Sequence, residues 1–302
     1  MKGDNILFLT LYTFDLTGGI EKVCKNLMDV FKDLRSNGTI EDHQTFSLYD
    51  NRQSNPDYQS FGGNKIKFSV NAIRKGLKSN LIILSHINLL IFAKLIRKFN
   101  PQKRIVLLAH GIEVWKPLSN WKKKFLSTIE IWAVSNYTAQ QLHQINRVPK
   151  KQITVLNNCL PKGFAIEEKI KPLSIAKQFQ IPADNKILLT TCRLSSSEKY
   201  KGYDLVLMAL TDLIKIYPNL SYVIVGNGDD EEIERIKKLI HICKLQNHVF
   251  FTGYLSDEEL KEFYQSADIF IMPSKGEGFG LVYIEAAAYG CMVVAGNAAV
   301  IP

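Results

Sequence analysis

Short apolar runs rich in β-branched and aromatic residues alternate along this chain with longer stretches whose apolar residues recur every three or four positions. Residues 5–12, 81–85, 104–109, 129–134 and 153–156 are apolar on successive positions. That pattern predicts parallel strands buried on both faces rather than surface strands. Between them, Val23, Leu27, Val30, Phe31 and Leu34 keep helical spacing, which predicts a helix over 20–34. A second helix is expected over 88–99, ahead of a turn at Asn100 and Pro101, and Ser135 is placed to cap a third. Residues 50–64 are polar and rich in Asn, Gln, Ser and Gly, so a loop is expected there. Residues 161–182 carry charge and three prolines, which predicts a linker with a short helix.

A second alternation starts at residue 186. Strands are expected over 186–191, 220–225, 249–251, 267–272 and 291–295, with helices over 203–216, 231–245, 256–265 (capped by Ser256) and 281–289. Strands that alternate with helices predict α/β units with parallel sheets. The chain of 302 residues is long enough for two of them, expected as 1–165 and 166–302.

Composition changes this picture little. No apolar run approaches the length that spans a bilayer. The N-terminal run 6–14 is preceded only by Lys2 and followed by Asp15, with no small-residue cleavage site, so it reads as a first strand and not a signal peptide. Five cysteines without paired spacing predict neither disulfides nor a metal site and suit a reducing cytoplasm. The charge changes it more. The formal net charge is +9, and no Asp or Glu occurs between Tyr58 and Ile112, where Lys65, Lys67, Arg74, Lys75, Lys78, Lys94, Arg97, Lys98, Lys103 and Arg104 fall. Lys122, Lys123 and Lys124, between Trp121 and Phe125, extend this basic face over 65–124. It suits an anionic membrane surface as well as it suits an ordinary solvated lysine face. No recognised nucleic-acid module accompanies it, so nucleic acid is not expected as a partner.

Candidate chemistry concentrates in residues 274–286, a glycine-rich loop between a strand closed by Pro273 and a helix closed by Gly290. The free N–H groups of such a helix start favour an anion. Glu277 in the loop and Glu285 a turn inside the helix supply carboxylates that accept hydrogen bonds from neutral hydroxyls. A bare carboxylate on a packed helix such as that of Glu285 is costly without a partner. Gly18-Gly19 stands at a strand–helix junction where a backbone approaches a phosphate closely, although a tight turn explains two glycines equally well. His110 follows the strand 104–109 directly, at the crevice edge where α/β sheets bind ligands; a histidine bonded locally in its loop is the alternative. His86 also ends a strand, and nothing similar supports a role for it beyond structure. Arg193 and Lys201 bracket the loop between a strand end and a helix start, with Lys199 as a second candidate cation. Fixed cations there suit a leaving diphosphate.

The stretch 274–286 contains a Glu, seven residues, and a Glu, in the setting Pro-Ser…Glu-Gly-Phe-Gly…Glu-Ala. It resembles the retaining glycosyltransferases of family 4, which have the GT-B fold. The resemblance implies two Rossmann-like domains facing a cleft, and sugar transfer from a nucleotide sugar to an acceptor hydroxyl with retention of anomeric configuration. By the same resemblance Arg193 and Lys201 would hold the diphosphate and Gly19 would line it. Glu277 would bind sugar hydroxyls, helped by the amides of Phe279, Gly280 and Leu281. Glu285 would hold the ribose, Gly253, Tyr254 and Leu255 would lie beside the base, and His110 would position the sugar and stabilise developing positive charge. No Asp-x-Asp occurs, which agrees with metal-independent chemistry that needs no cofactor beyond a donor, UDP- or GDP-linked. The acceptor implied is a glycan or lipid-linked precursor of polysaccharide, lipopolysaccharide or glycolipid, met in the cytoplasm or on the inner face of the membrane. Family members continue several dozen residues past the strand 291–295, so the second domain is expected to be incomplete here. Other enzymes of the same fold, such as a nucleotide-sugar epimerase or a phosphorylase, and an inactive nucleotide- or membrane-binding relative are the alternatives.

Overall fold

Strands apolar on successive positions need helices on both faces, and each half of the chain builds that layering separately. The computed structural model describes residues 4–164 and 173–297. The chain divides into two units, Met1–Gly163 and Phe164–Pro302.

In the first unit the elements run β1 (Asp4–Thr10), α1 (Gly19–Ser36), β2 (Ile40–Ser47), β3 (Tyr58–Ser60), α2 (Lys65–Lys78), β4 (Leu81–Leu84), α3 (Leu90–Phe99) and β5 (Arg104–Ala109). They continue through α4 (Ile112–Trp115), α5 (Asn120–Leu126), β6 (Glu130–Ala133), α6 (Asn136–Asn146) and β7 (Ile153–Val155). The strands form one parallel sheet in the order β3-β2-β1-β4-β5-β6-β7. Successive residues of β1 serve opposite layers: Ile6 and Phe8 meet Cys24, Met28 and Phe31 of α1, while Leu7 and Leu9 meet the core shared with Phe68, Ala72, Ala93 and Ile96 of α2 and α3. The order reverses between β1 and β4, so this sheet has its switch point there.

The second unit runs α7 (Leu173–Gln178), β8 (Lys186–Thr191), α8 (Tyr203–Ile216), β9 (Leu220–Val225), α9 (Asp230–Ile242) and β10 (Val249–Gly253). It ends with α10 (Asp257–Ser266), β11 (Ile269–Met272), α11 (Leu281–Ala288) and β12 (Met292–Ala295). Its parallel sheet has the order β10-β9-β8-β11-β12 and a switch point between β8 and β11. Ser256 and Glu259 form the full capping box that starts α10.

Several expectations need correction. The polar stretch 50–64 is not all loop, because Tyr58–Ser60 pairs in parallel with β2. Strand β2 itself, Ile-Glu-Asp-His-Gln-Thr-Phe-Ser, has too few apolar residues to signal a strand; its pairing with β1 makes it one. Lys103 does not belong to a basic surface. It is buried, and its ammonium donates to the carbonyls of Leu77 (3.0 Å) and Ser79 at the C-terminal end of α2, where the helix dipole favours a cation. Arg104 makes a two-pronged contact with Glu130 at 2.7 and 3.0 Å. Part of the linker expected over 161–182, and everything after Asn297, lie outside the described residues. No helix among the described residues is long and apolar enough to cross a membrane, and all five cysteines are free.

One carboxylate holds the loop that leads from β1 to Gly18-Gly19. Asp50 is fully buried, and it accepts the backbone N–H groups of Thr13 (2.9 Å), Phe14 (3.1 Å) and Asp15 (3.0 Å) and the hydroxyl of Tyr58 (2.6 Å). Removing it would leave those donors without a partner, the buried Thr13 amide and Tyr58 hydroxyl among them, and each buried donor left so costs about 1–3 kcal/mol. Asp50→Ala is therefore expected to lower unfolding stability by about 3 kcal/mol or more, read from urea melts. Asp50→Asn should lose less, since its amide oxygen still accepts.

Candidate functional site

In the second unit the loops that follow β8, β9, β10 and β11 meet at one edge of the sheet, because every strand is parallel and points the same way. The loop after β8 carries Arg193 and Lys201, and the loop after β11 carries Glu277. These loops flank the switch point, and the backbone joins them, with Lys275 N–H donating to Tyr200 C=O at 2.8 Å. Gly202, at φ +83°, allows the approach; a Cβ there would stand 2.6 Å from the Pro273 carbonyl oxygen.

Across this junction Lys201 Nζ donates to Glu277 Oε1 at 2.7 Å, and the two side chains are only 16% and 13% exposed. Burial works against the Lys201 ammonium, but the charge of Glu277 and its hydrogen bond outweigh burial, and the lysine's pKa is raised. The two residues assigned separately to diphosphate and sugar thus sit in direct contact. Arg193 lies apart and is 64% exposed, its guanidinium 3.6 Å from Glu198. The alternative cation, Lys199, faces Glu232 instead, at 3.8 Å.

The glycine loop closes on its own helix. Gly280 takes φ +84° as the residue before α11, and no side chain caps the helix there. The Tyr283 hydroxyl donates to the Met272 carbonyl at 2.8 Å, and Phe279 and Leu281 are buried. Glu285 is buried on α11, where the Tyr264 hydroxyl donates to its Oε2 at 3.2 Å. Burial first, and the Glu285 charge second, push the Tyr264 phenol well above its ordinary pKa, so it stays a donor. Tyr264 stacks on Tyr289 at 5.6 Å and lies 3.2 Å from the Thr191 hydroxyl. This is the partner that a carboxylate on a packed helix requires, and nothing in the local sequence around Glu285 announces it.

Gly253, Tyr254 and Leu255 stand at the end of β10. Gly253 has φ +71°, its carbonyl accepts from Gly226 N–H at 2.9 Å, and Tyr254 N–H donates to Asn227 Oδ1 at 3.1 Å. Leu255 is buried and the Tyr254 ring exposed. These backbone groups are engaged with the loop after β9, which the sequence reading left without a role. That loop also binds the loop after β8, through Leu194 N–H to Asn227 C=O and Asp229 N–H to Leu194 C=O. A Cβ on Gly228 would fall 1.6 Å from the Leu194 carbonyl oxygen, so only glycine fits. The signal was present: Gly-Asn-Gly-Asp directly after a strand.

In the first unit Gly19 opens α1, preceded by Gly18 in extended conformation with no side-chain cap. His110 ends β5. Its Nε2 lies 2.9 Å from the Ser85 carbonyl and so donates to it, which leaves Nδ1 as the acceptor of a neutral ring. Glu113 accepts the N–H groups of His110 (2.6 Å) and Gly111 (3.1 Å), fixing the turn. Burial lowers the His110 pKa to about 4, so the imidazole is uncharged at neutral pH. His86 has a local partner, its Nδ1 accepting from Asn88 N–H at 3.1 Å. No group of three or more His, Cys, Asp or Glu among the described residues is arranged to hold a metal ion.

The folded pKa of His110 lies below its unfolded value, so below about 6.5 the unfolded chain binds a proton that the folded chain does not. Stability from this residue is complete above 6.5, declines as pH falls, and is fully lost below about 4. His110→Gln keeps a donor for Ser85 without titrating. Thermal melts across that window should fall more steeply for the parent than for the variant.

Residues 174–302 match the family model described as glycosyl transferases group 1. The O-antigen biosynthesis glycosyltransferase WclY of Escherichia coli is 35% identical over 150 residues, which cover 50% of this chain and 39% of that protein. A GDP-mannose-dependent alpha-(1-6)-phosphatidylinositol monomannoside mannosyltransferase of Mycobacterium tuberculosis is 36% identical over 115 residues, covering 36% of this chain and 29% of that one. The matches thus span less than half the length of these relatives. Among solved structures, Anabaena HepE in complex with UDP-glucose superposes with a TM-score of 0.76 at 21% identity, covering 98% of this chain and 81% of that one. The likeness extends the GT-B fold to both units. Over residues 174–302 the second unit of this chain is thus similar to the glycosyl transferases group 1.

Proposed function

We propose that this protein transfers a sugar from a nucleotide sugar to an acceptor hydroxyl, with retention of anomeric configuration, in the assembly of a polysaccharide, lipopolysaccharide or glycolipid. The observation that carries the reading is the buried Lys201–Glu277 pair, set at the switch point of a group 1 glycosyl transferase domain beside the uncapped start of α11. A sugar linked to phosphate presents an anion and neutral hydroxyls on neighbouring atoms. An ammonium beside a carboxylate matches that pair of needs, Lys201 taking the phosphate oxygen and Glu277 the hydroxyls. Arg193, exposed and only loosely engaged with Glu198, adds a second positive charge for the departing diphosphate. Positive charge fixed in the protein in this way supports a metal-independent reaction without a cofactor. The amides of Phe279, Gly280 and Leu281 would add contacts to the donor.

Glu285 takes the ribose hydroxyls, its second partner Tyr264 holding the carboxylate in place. The Gly253–Leu255 turn lies beside the base; for the first unit the roles are those that the resemblance implies, the diphosphate for Gly19 and a sugar hydroxyl, through Nδ1, for neutral His110. A neutral ring stabilises developing positive charge less than the resemblance alone suggested, so His110 acts mainly by position. The solved HepE complex holds UDP-glucose and the mycobacterial relative is described as GDP-mannose-dependent, which makes UDP and GDP the first bases to test. The Escherichia coli relative is described by O-antigen biosynthesis, which favours a glycan or lipid-linked acceptor.

Thermal shift of the purified chain with UDP, GDP and ADP tests the donor site. Ligand at one hundred times its Kd stabilises by about 2.7 kcal/mol, so one base should raise the melting temperature by several degrees. Glu285→Ala should reduce that rise. Lys201→Met should lower transfer of radiolabelled sugar by roughly 10²-fold or more, since it removes a charge aimed at the leaving group. A cooperative melt that no nucleotide moves would sink the proposal.

A further inference from the structure

The outer side of α2 and α3 is unlike an ordinary solvated helix face. These helices bury Phe68, Ala72 and Gly76, and Leu90, Ala93 and Ile96, against the first sheet. On the solvent side, Ile66 is 80% exposed, Val70 59% and Phe99 66%, with Leu77, Ile91 and Leu95 also exposed. Ile66, Val70 and Leu77 fall on one stripe of α2, and Ile91, Leu95 and Phe99 on one stripe of α3. The helices lie side by side, since Phe68 and Phe92 pack edge to face at 5.0 Å and Gly76 makes room for the Ile96 side chain. The two stripes therefore form one apolar area on one side of the unit. α5 adds Trp121 at its rim, beneath the Lys94 ammonium at 5.0 Å.

The helices that carry this area bear charge of one sign. α2, α3 and α5 contain no Asp or Glu. Lys65, Lys67, Lys78, Lys94, Lys98 and Lys124 form no ion pair among the described residues, whereas Lys103 and Arg104 are engaged elsewhere. Lysines solvate themselves without exposed Ile or Phe beside them. A contiguous apolar area ringed by cations fits a surface that is negative outside and apolar a few ångströms deeper.

We propose that the outer face of α2 and α3, with Trp121 at its edge, docks on an anionic bilayer, its lysines meeting lipid phosphates and Ile66, Val70 and Phe99 entering the headgroup boundary. This deepens the reading of a lipid-linked acceptor, but it rests on the first unit's surface alone. Vesicle binding and sugar transfer therefore fail separately.

The test is co-sedimentation of the purified chain with phosphatidylcholine vesicles and with vesicles that are roughly one third phosphatidylglycerol. Binding is expected only to the anionic vesicles, weakening as salt rises. Ile66→Ser with Phe99→Ser, and separately Lys67→Glu with Lys98→Glu, should each reduce the partition coefficient about tenfold while leaving the parent melt unchanged. Equal binding to both vesicle types, no binding to either, or full binding by the Ile66/Phe99 variant overturns the proposal. So does a dimer dispersed by the same substitutions, which would assign the face to a second copy, or binding to an RNA duplex in place of vesicles.

Discussion

The buried contact between Lys201 and Glu277 constrains most of what surrounds it. Two charges drawn out of water lose hydration that their mutual attraction only partly returns, so such a pair survives where the neighbouring backbone holds it in good geometry. Here the left-handed turn at Gly202 packs on Pro273, and the Lys275 amide binds the Tyr200 carbonyl. Gly280 then turns the chain into α11 with its amides uncapped. The pair is thus the meeting point of two loops that lie far apart in sequence and adjacent at the switch point between β8 and β11. A ligand with an anion next to hydroxyls can take over both halves of it without leaving either charge unpartnered.

Asp50 plays a comparable part in the first unit. A carboxylate with no exposure gathers three successive amides and a phenol, and so fixes the course of the chain from β1 towards Gly18-Gly19. In both units most of the candidate residues stand on loops whose shape is held by buried hydrogen bonds or close backbone contacts at the edge of a parallel sheet, while Glu285 stands on α11. The same economy appears in second-layer partners. Tyr264 supports Glu285, Glu113 supports the turn at His110, and Asn227 supports Tyr254.

The first unit also separates its basic residues by role. Lys103 caps the end of α2 from within, Arg104 pairs with Glu130, and Arg97 donates to Thr128, while the lysines around the exposed aliphatic stripes remain directed to solvent. A run of positive residues that looks uniform in the sequence is four different things in space.

The sequence by itself determined the layered α/β architecture, because apolar runs bounded by glycine and proline and helices with regular spacing are local patterns that local physics reads directly. Strands 104–109, 186–191 and 220–225 and helix 203–216 fall where the spacing predicts them. It also singled out Glu277, Glu285, Arg193, Lys201 and His110 as candidates, through their positions at strand ends and in one motif. Tertiary structure alone decided which of them touch. Lys201 meets Glu277 across 76 positions of sequence, Tyr264 meets Glu285 across 21, and β2 is a strand only because β1 and β3 lie beside it. Those facts depend on strand order and on how loops pack at the sheet edge. Long-range packing of that kind leaves no periodic trace in the chain, which is why the partners, the neutral state of His110 and the inward turn of Lys103 emerged only from the fold.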